Sequence, residues 1–170
     1  MDLASFLRDV PDFPKPGIVF KDISPLLASP AALHAATDQL AALDFGQIDK
    51  IGAIESRGFL FGVPLAMKLG VGFIPVRKPG KLPWKTNRIE YVLEYGTDAL
   101  EIHQDALRAG ERVLLIDDLL ATGGTMGAAC KLIESCGGIV VGCAFVIELD
   151  FLKGREKLSP HRCEALVHVP

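Results

Sequence analysis

Four segments of this sequence are built around uninterrupted apolar runs, and segments with helical periodicity lie between them. They are KIGAIES at 50–56, GVGFIPVRK at 70–78, ERVLLID at 111–117 and IVVGCAFVIEL at 139–149. A strand that is apolar on both faces must be covered on both faces, which is typical of parallel sheets with helices on either side. The sequence therefore predicts an α/β fold with a central, mainly parallel sheet flanked by helices.

Helical patterns occupy the intervals between these strands. A helix is predicted over 31–43, because Ser29 is a good N-cap and Pro30 suits the first helical position. The other predicted elements are helices at 58–69 and 124–136, a hairpin formed by 89–95 and 99–107, and a last strand at 164–169. The first 30 residues are punctuated by prolines and predict an irregular segment along the surface.

Composition bounds the class of protein. The 170 residues suffice for one domain with a substantial core, and 49% hydrophobic with 23% charged residues is ordinary for a globular protein. A net charge of -3 gives no reason to expect a nucleic-acid partner. Because no apolar run is long enough to cross a bilayer and the N-terminus lacks a signal-peptide core, we expect no membrane association and a cytoplasmic protein.

The cysteines and histidines show no pattern typical of a metal site. No two cysteines form a C-x-x-C pair, so we expect small core residues in a reducing compartment. The histidines are scattered, and their spacing predicts neither a metal site nor a catalytic triad. The residues concerned are Cys130, Cys136, Cys143, Cys163, His34, His103, His161 and His168.

Polar, glycine-containing segments follow three of the predicted strands. They are ESRGF after the first strand, RKPGK after the second and DDLLATGGT after the third. In open α/β sheets, ligands bind beyond the carboxyl ends of the strands. We therefore expect the three segments to meet at one edge of the sheet and to form a site there.

The ATGGT segment predicts a cup for a phosphate group. The first N–H groups of a helix lack partners inside the helix and carry a positive partial charge. A glycine turn before a helix lets the backbone approach a ligand, and threonine hydroxyls add donors. The members of the predicted cup are Ala121, Thr122, Gly123, Gly124 and Thr125. Taken alone, such a segment is more often an ordinary turn.

Asp117 and Asp118 follow the third apolar run directly. Two carboxylates would repel a phosphate if they overlapped with it, so they suit sugar hydroxyls, Mg²⁺ or both. A ribose 5-phosphate fits this pattern, with its phosphate in the ATGGT cup and its hydroxyls on the acids. The alternative is that Asp118 only caps a turn.

The stretch VLLIDDLLATGGT resembles the motif with which type I phosphoribosyltransferases bind phosphoribosyl diphosphate (PRPP). Together with FPKPGIVFKDISPLL, ESRGFLFG, RKPGKLP, LEYG, LEIHQDAL and LKGREKL, it resembles the adenine phosphoribosyltransferases over about residues 10–158. The resemblance implies a single phosphoribosyltransferase domain over 1–170, with a small N-terminal hood at 1–30 and a lid at 77–95. It also implies a homodimer.

The implied reaction joins adenine to PRPP, giving AMP and pyrophosphate through an oxocarbenium-like transition state. Ser56 and Arg57 are then expected to bind the diphosphate, since an arginine fork suits its oxygens. Lys78 and Lys81 are expected to contact the diphosphate when the basic lid closes over it. The resemblance also raises an unusual, cis peptide bond between Ser56 and Arg57, which the sequence does not itself show.

Further residues are assigned by the resemblance to the base and to the metal. Val19, Phe20 and Lys21 would hold adenine through the backbone, with the Phe20 ring stacked on the purine. Glu94 would exchange a proton with the base in the closed site, beside Tyr95. Mg²⁺ would arrive with PRPP and be held mainly by the substrate, with Asp117 or Asp118 assisting indirectly.

Two other functions share part of this pattern. A 6-oxopurine enzyme would change only the base, but VFKDI together with ESRGF favours adenine. A PRPP-binding regulator would keep the phosphate cup and lose the lid and leaving-group residues. Because Arg57, Lys78, Lys81 and Glu94 are all present, the sequence favours an enzyme. The segment LKGREKL receives only a supporting role near the base.

Overall fold

Five parallel strands form the centre of the computed structural model, which describes residues 1–92 and 96–170. The strands are β1 (Arg8–Pro11), β2 (Val19–Asp22), β3 (Lys50–Ile54), β4 (Gly72–Val76), β5 (Thr86–Val92), β6 (Thr97–His103), β7 (Arg112–Leu120), β8 (Ile139–Leu149) and β9 (Cys163–Val169). The helices are α1 (Ser24–Ala28), α2 (Pro30–Ala42), α3 (Phe59–Leu69) and α4 (Gly124–Ser135), and short 3-10 helices cover Ala4–Phe6, Asp150–Leu152 and Gly154–Leu158.

The central sheet has the order β4-β3-β7-β8-β9, and each neighbouring pair is parallel. Successive residues of β7 alternate between two buried clusters, because side chains on a strand point to opposite faces. Leu115 joins the cluster under α4, and Leu114 and Ile116 join the cluster that contains Phe61 of α3. The predicted α/β fold, with a parallel sheet covered on both faces, is therefore confirmed.

The helices follow local signals in the sequence. Ser29 caps α2, its hydroxyl accepting a hydrogen bond from the backbone N–H of Ala32 at 3.3 Å. In α3, a Cβ added at Gly62 would lie 2.6 Å from that of Ala53, so the glycine lets this helix pack closely against β3. Of the described helices, none is long and apolar enough to span a membrane.

The N-terminal segment is more regular than predicted. Strands β1 and β2 pair in antiparallel register, with Asp9 opposite Lys21 and Val10 opposite Phe20. The Lys21 ammonium contacts the Asp9 carboxylate at 2.6 Å across this pair. The expectation of an irregular segment is wrong because prolines are tolerated in short edge strands, where a missing N–H faces solvent.

The predicted hairpin is confirmed as β5 and β6, which pair from Thr86 opposite His103 to Val92 opposite Thr97. It starts three residues before the predicted Ile89. Strand β7 is also longer than predicted, because its ladder with β8 continues to Leu120 opposite Glu148. Asp117 and Asp118 therefore belong to the strand itself and do not lie beyond its end.

Candidate active site

Arg57 and Asp118 meet across the carboxyl edge of the sheet. The segment after β3 carries Arg57, and its Nε lies 2.5 Å from Oδ2 of Asp118 on the neighbouring strand β7. The Asp118 side chain is only 6% exposed, whereas that of Arg57 is 50% exposed. The pair therefore neutralises a buried carboxylate and leaves part of the guanidinium open to a ligand.

The two neighbouring aspartates differ in their electrostatics. Burial raises the pKa of Asp117 well above its usual range, and the negative charge of Asp118 raises that pKa further. Burial opposes the charge of Arg57, but its hydrogen bond and attraction to Asp118 outweigh this, and the pKa of Arg57 is raised. Asp118 is thus engaged by Arg57, while Asp117 takes up a proton more readily than an ordinary aspartate.

The ATGGT segment encloses a small cavity at the start of α4. All five residues of the predicted cup line it, together with Asp117, Leu119, Leu120 and Met126. Its volume is about 100 Å³, room for about three water molecules. Asp117 thus shares the cup with the proposed phosphate position, contrary to the expected separation. Because its raised pKa favours the neutral form, it repels an anion less than an ordinary carboxylate would.

A second segment fixes the shape of this cup. A Cβ added at Gly154 would lie 2.3 Å from the carbonyl oxygen of Ala121, and one added at Gly123 would lie 2.4 Å from the carbonyl oxygen of Gly154. Gly123 also has a left-handed φ of +79°, which suits glycine. The LKGREKL segment therefore lies against the phosphate cup, a position that its sequence alone did not indicate.

The lid lysines have different surroundings. Lys78 forms an ion pair with Asp98 on β6, and its ammonium lies 5.9 Å from the centre of the Tyr91 ring. Lys81 is exposed, and its carbonyl oxygen accepts a hydrogen bond from Arg77 at 3.0 Å. The Nε of Arg77 also donates to Glu55 at 2.5 Å. The base of the lid is thus tied to the segment that carries Arg57.

The cis peptide bond of the ESRGF segment joins Glu55 and Ser56. It lies one bond before the position that the resemblance suggested, between Ser56 and Arg57. Ser56 is thus the second residue of the cis bond and directly precedes Arg57 in the sequence. Glu94 and Tyr95, assigned to the end of the lid, lie outside the described residues.

In the hood, the three residues predicted to hold the base lie on β2. Val19 is exposed, and the ring of Phe20 meets that of Phe13 edge to face, with centroids 5.2 Å apart. The Lys21 side chain is engaged by Asp9, so it is not free to read a base. Among the described strands only β1 pairs with β2, so the outer edge of β2 offers backbone donors and acceptors.

One further cluster of side chains has the spacing of a metal site. Glu148, Asp150 and His168 place ligand atoms within 4.8 Å of one another, although the spacing of the histidines predicted no such cluster. Both oxygens of Glu148 already accept hydrogen bonds from Arg155, at 2.7 and 2.5 Å. Since that guanidinium would repel a cation, the group is better described as a structural ion-pair network.

Comparison with known proteins identifies the family. The phosphoribosyl transferase domain family matches residues 22–165. An adenine phosphoribosyltransferase of Chloroflexus aurantiacus is 60% identical over 98% of this chain and 96% of its own length. The chain belongs to the adenine phosphoribosyltransferases. Enzymes of this family transfer a phosphoribosyl group from PRPP to adenine.

Solved structures of adenine phosphoribosyltransferases agree with the fold. The enzyme from Thermoanaerobacter pseudethanolicus superimposes with a TM-score of 0.95 at 55% identity, covering 98% of both chains. The Saccharomyces cerevisiae enzyme, solved with adenine and an imino-altritol bisphosphate, gives a TM-score of 0.88 at 42% identity, covering 97% of this chain and 95% of its own. The type I phosphoribosyltransferase fold implied by the sequence is thereby confirmed.

Because the two aspartates have different environments, replacing each by asparagine should have opposite effects on the thermal stability of this protein. A folded-state pKa above the unfolded value means that the folded state loses stability as the pH rises through that interval. Asp117→Asn should therefore raise the thermal midpoint at pH 7 and flatten its dependence on pH. Asp118→Asn should lower the midpoint at pH 7, because it leaves Arg57 without its charged partner. Thermal unfolding from pH 4 to pH 8 tests both, and equal shifts in the two variants would contradict the assignment.

Gly154→Ala should damage the phosphate cup. The new methyl group would displace the backbone at Ala121, and a misplacement of about 1 Å in a binding site costs about a hundredfold. We expect the KM for PRPP to rise about ten- to a hundredfold. Gly72→Ala is the control, since its Cβ would meet nothing closer than 3.6 Å at the other end of the sheet. If both variants keep the parent KM, the packing of Gly154 does not shape the cup.

Proposed function

We propose that this chain transfers the 5-phosphoribosyl group of PRPP to adenine, giving AMP and pyrophosphate. The observation that carries the proposal is the meeting of Arg57, Asp118 and the ATGGT cup at one edge of the sheet. A nitrogen of adenine forms a bond to the anomeric carbon, the bond to the diphosphate oxygen breaks, and the base gives up a proton. In this proposal 1–170 act as one domain, with 1–30 as hood and 77–95 as lid.

The substrate PRPP would lie along the carboxyl edge of the sheet. Its 5-phosphate would occupy the cup at 121–125, and its ribose hydroxyls would donate to Asp117 and Asp118. Only the Nε of Arg57 contacts Asp118, and a guanidinium has five N–H donors, so the Nη groups remain for the diphosphate. Ser56 would add a donor beside Arg57. Removal of water by the lid would protect PRPP from hydrolysis.

Mg²⁺ would bind together with PRPP. The donor set fits this hard cation, because Asp117 lines the cup and offers carboxylate oxygens. Asp118 is engaged by Arg57 and would assist indirectly. A bound cation would also favour the ionised form of Asp117, whose pKa is raised without it. When bound, Mg²⁺ would neutralise charge on the leaving diphosphate.

Adenine would bind at the hood. The open edge of β2 suits the base, because adenine needs an acceptor for its N6 amine and a donor to N1, and an extended backbone supplies both. Phe20 would stack on the ring, supported edge-on by Phe13. Lys21 would contribute its backbone, since its ammonium is bound to Asp9. Glu94 stays predicted as the group that exchanges a proton with the base, and Tyr95 as its neighbour.

We also propose a homodimer in the cytoplasm. Leu60, Val63 and Met67 are exposed on α3 by 43%, 40% and 78%. Their spacing places them along one side of the helix, which begins directly after the segment that carries Arg57. A second copy covering this face would bury it and steady the diphosphate site. The free thiols of all four cysteines fit a reducing compartment.

The reaction predicts a sharp choice among bases. The protein should form AMP from adenine, PRPP and Mg²⁺, with at least about a hundredfold lower kcat/KM for hypoxanthine and guanine, because a 6-oxo group presents an acceptor where adenine presents a donor. Nucleotide formation, followed by chromatography, is the measurement. An Arg57→Ala control should lower both AMP formation and its reversal. PRPP binding without any nucleotide product would support the regulator instead.

The proposed dimer predicts that charged substitutions on the exposed face of α3 lower the mass of the protein in solution. Val63→Glu combined with Met67→Glu should shift the protein from dimer to monomer in analytical ultracentrifugation, because buried carboxylates without partners are costly. Ile139→Glu, at another exposed apolar residue, is the matched control and should leave the mass unchanged. A monomeric parent protein would rule out the proposed dimer directly.

A further inference from the structure

A chain of polar contacts joins the lid to the phosphate cup. Lys78 is paired with Asp98, the Asp98 Oδ2 lies 3.3 Å from the Tyr91 hydroxyl, and that hydroxyl lies 3.4 Å from Oγ1 of Thr125. Tyr91 and Asp98 are opposite each other in the β5–β6 ladder. Thr125 lies in the first turn of α4 and lines the cup. One tyrosine hydroxyl therefore connects the two regions proposed to hold opposite ends of PRPP.

The donor and acceptor groups of these residues fix the direction of each hydrogen bond. A carboxylate only accepts and an ammonium only donates, so Lys78 and Tyr91 both donate to Asp98. The other oxygen of Asp98 accepts from the backbone N–H of Ala99 at 2.8 Å, which fixes the orientation of the carboxylate. With its hydrogen on Asp98, the Tyr91 oxygen accepts from Thr125. If a phosphate takes the Thr125 hydrogen, Tyr91 can donate its single hydrogen to the Thr125 oxygen instead of to Asp98, while its own oxygen accepts from the Lys78 ammonium at 3.4 Å. Lys78 and Thr125 therefore stay linked through Tyr91 when a phosphate binds.

Lys78 keeps binding capacity within this arrangement. Its ammonium has three donors, and the pair with Asp98 does not use all of them. The side chain is 38% exposed, so a remaining donor is accessible to a ligand. The same ammonium donates to the Tyr91 hydroxyl at 3.4 Å, which restricts it further. Lys78 is thus a held cation whose position depends on Asp98 and Tyr91.

We propose that Tyr91 and Asp98 are positioning residues that fix Lys78 relative to Thr125, so that the two ends of PRPP are bound cooperatively. This inference rests on the roles proposed for Lys78 and Thr125 in PRPP binding. Neither Tyr91 nor Asp98 needs to touch the substrate. Their effect would be to hold the diphosphate contact at a set distance from the phosphate cup.

A double-mutant cycle on PRPP affinity tests the proposal. The variants are Lys78→Gln, Thr125→Val and their combination, each made in the parent protein and in Tyr91→Phe, with Kd for PRPP and Mg²⁺ measured by calorimetry. Each single change should weaken binding about tenfold or more. In the parent protein the combined loss should be about three- to tenfold smaller than the product of the single losses. In Tyr91→Phe the losses should multiply within about twofold.

Controls separate this role from general damage. Thr86→Val removes a hydroxyl from the first residue of the same strand and should leave the cooperativity unchanged, whereas Asp98→Asn should abolish it as Tyr91→Phe does. Multiplicative losses in the parent protein, or unchanged cooperativity in Tyr91→Phe, would overturn the inference. If Lys78→Gln and Thr125→Val have no effect singly, their proposed contacts and this inference both fail, although AMP formation from adenine would still support the proposed reaction.

Discussion

Parallel pairing of β3 with β7 is the constraint on which the arrangement of the site depends. The register places Ala53 opposite Ile116, so the segment after β3 meets the end of β7 at the same edge. Arg57 then reaches Asp118 from the neighbouring strand. Since β7 continues to Leu120, two residues separate Asp118 from Ala121, and the three steps along the extended chain span about 10 Å. The sheet itself thus sets the spacing between the proposed sugar position at Asp118 and the proposed phosphate position in the cup.

Acid–arginine pairs recur along this edge of the sheet. Asp118 is paired with Arg57 and Glu148 with Arg155, while Glu55 is paired with Arg77. Asp118 and Glu148 lie among the last three residues of β7 and β8, and Glu55 follows β3 directly. Replacing the arginine of such a pair would leave a largely buried acid without its partner, which is costly. The pairs therefore tie the segments around the site to the sheet. Asp117 differs, since it forms no ion pair with any lysine or arginine in the part of the chain that the structure describes.

The sequence predicted the features that local patterns encode. Apolar runs predicted the strands, Ser29 predicted the start of α2, and ATGGT predicted a cup whose five residues do line one cavity. The predicted length of β7 was wrong, because pairing with β8 decides where this strand ends. The N-terminal hairpin was missed, because its two strands have only four residues each and prolines obscure them.

Contacts between distant segments could not be read from the sequence. No periodicity connects Gly154 to Ala121, yet their backbones almost touch. Nor does the sequence pattern connect His168 to Asp150, although Nδ1 of His168 lies 2.9 Å from Oδ1 of Asp150. The raised pKa of Asp117 is also a tertiary effect, because it arises from burial and from the charge of Asp118. The sequence showed which residue types were present, while packing decided their protonation and their partners.

The lid is anchored at both ends of its basic loop. On one side Arg77 pairs with Glu55, and the backbone N–H of Gly80 donates to buried Glu101 at 3.2 Å. On the other side the carbonyl of Lys85 accepts from Gln104 at 3.0 Å. Between these anchors Lys81 and Trp84 are exposed. The proposed closure over a diphosphate therefore needs movement of a short stretch only. A short stretch with fixed ends orders at a small cost in conformational entropy.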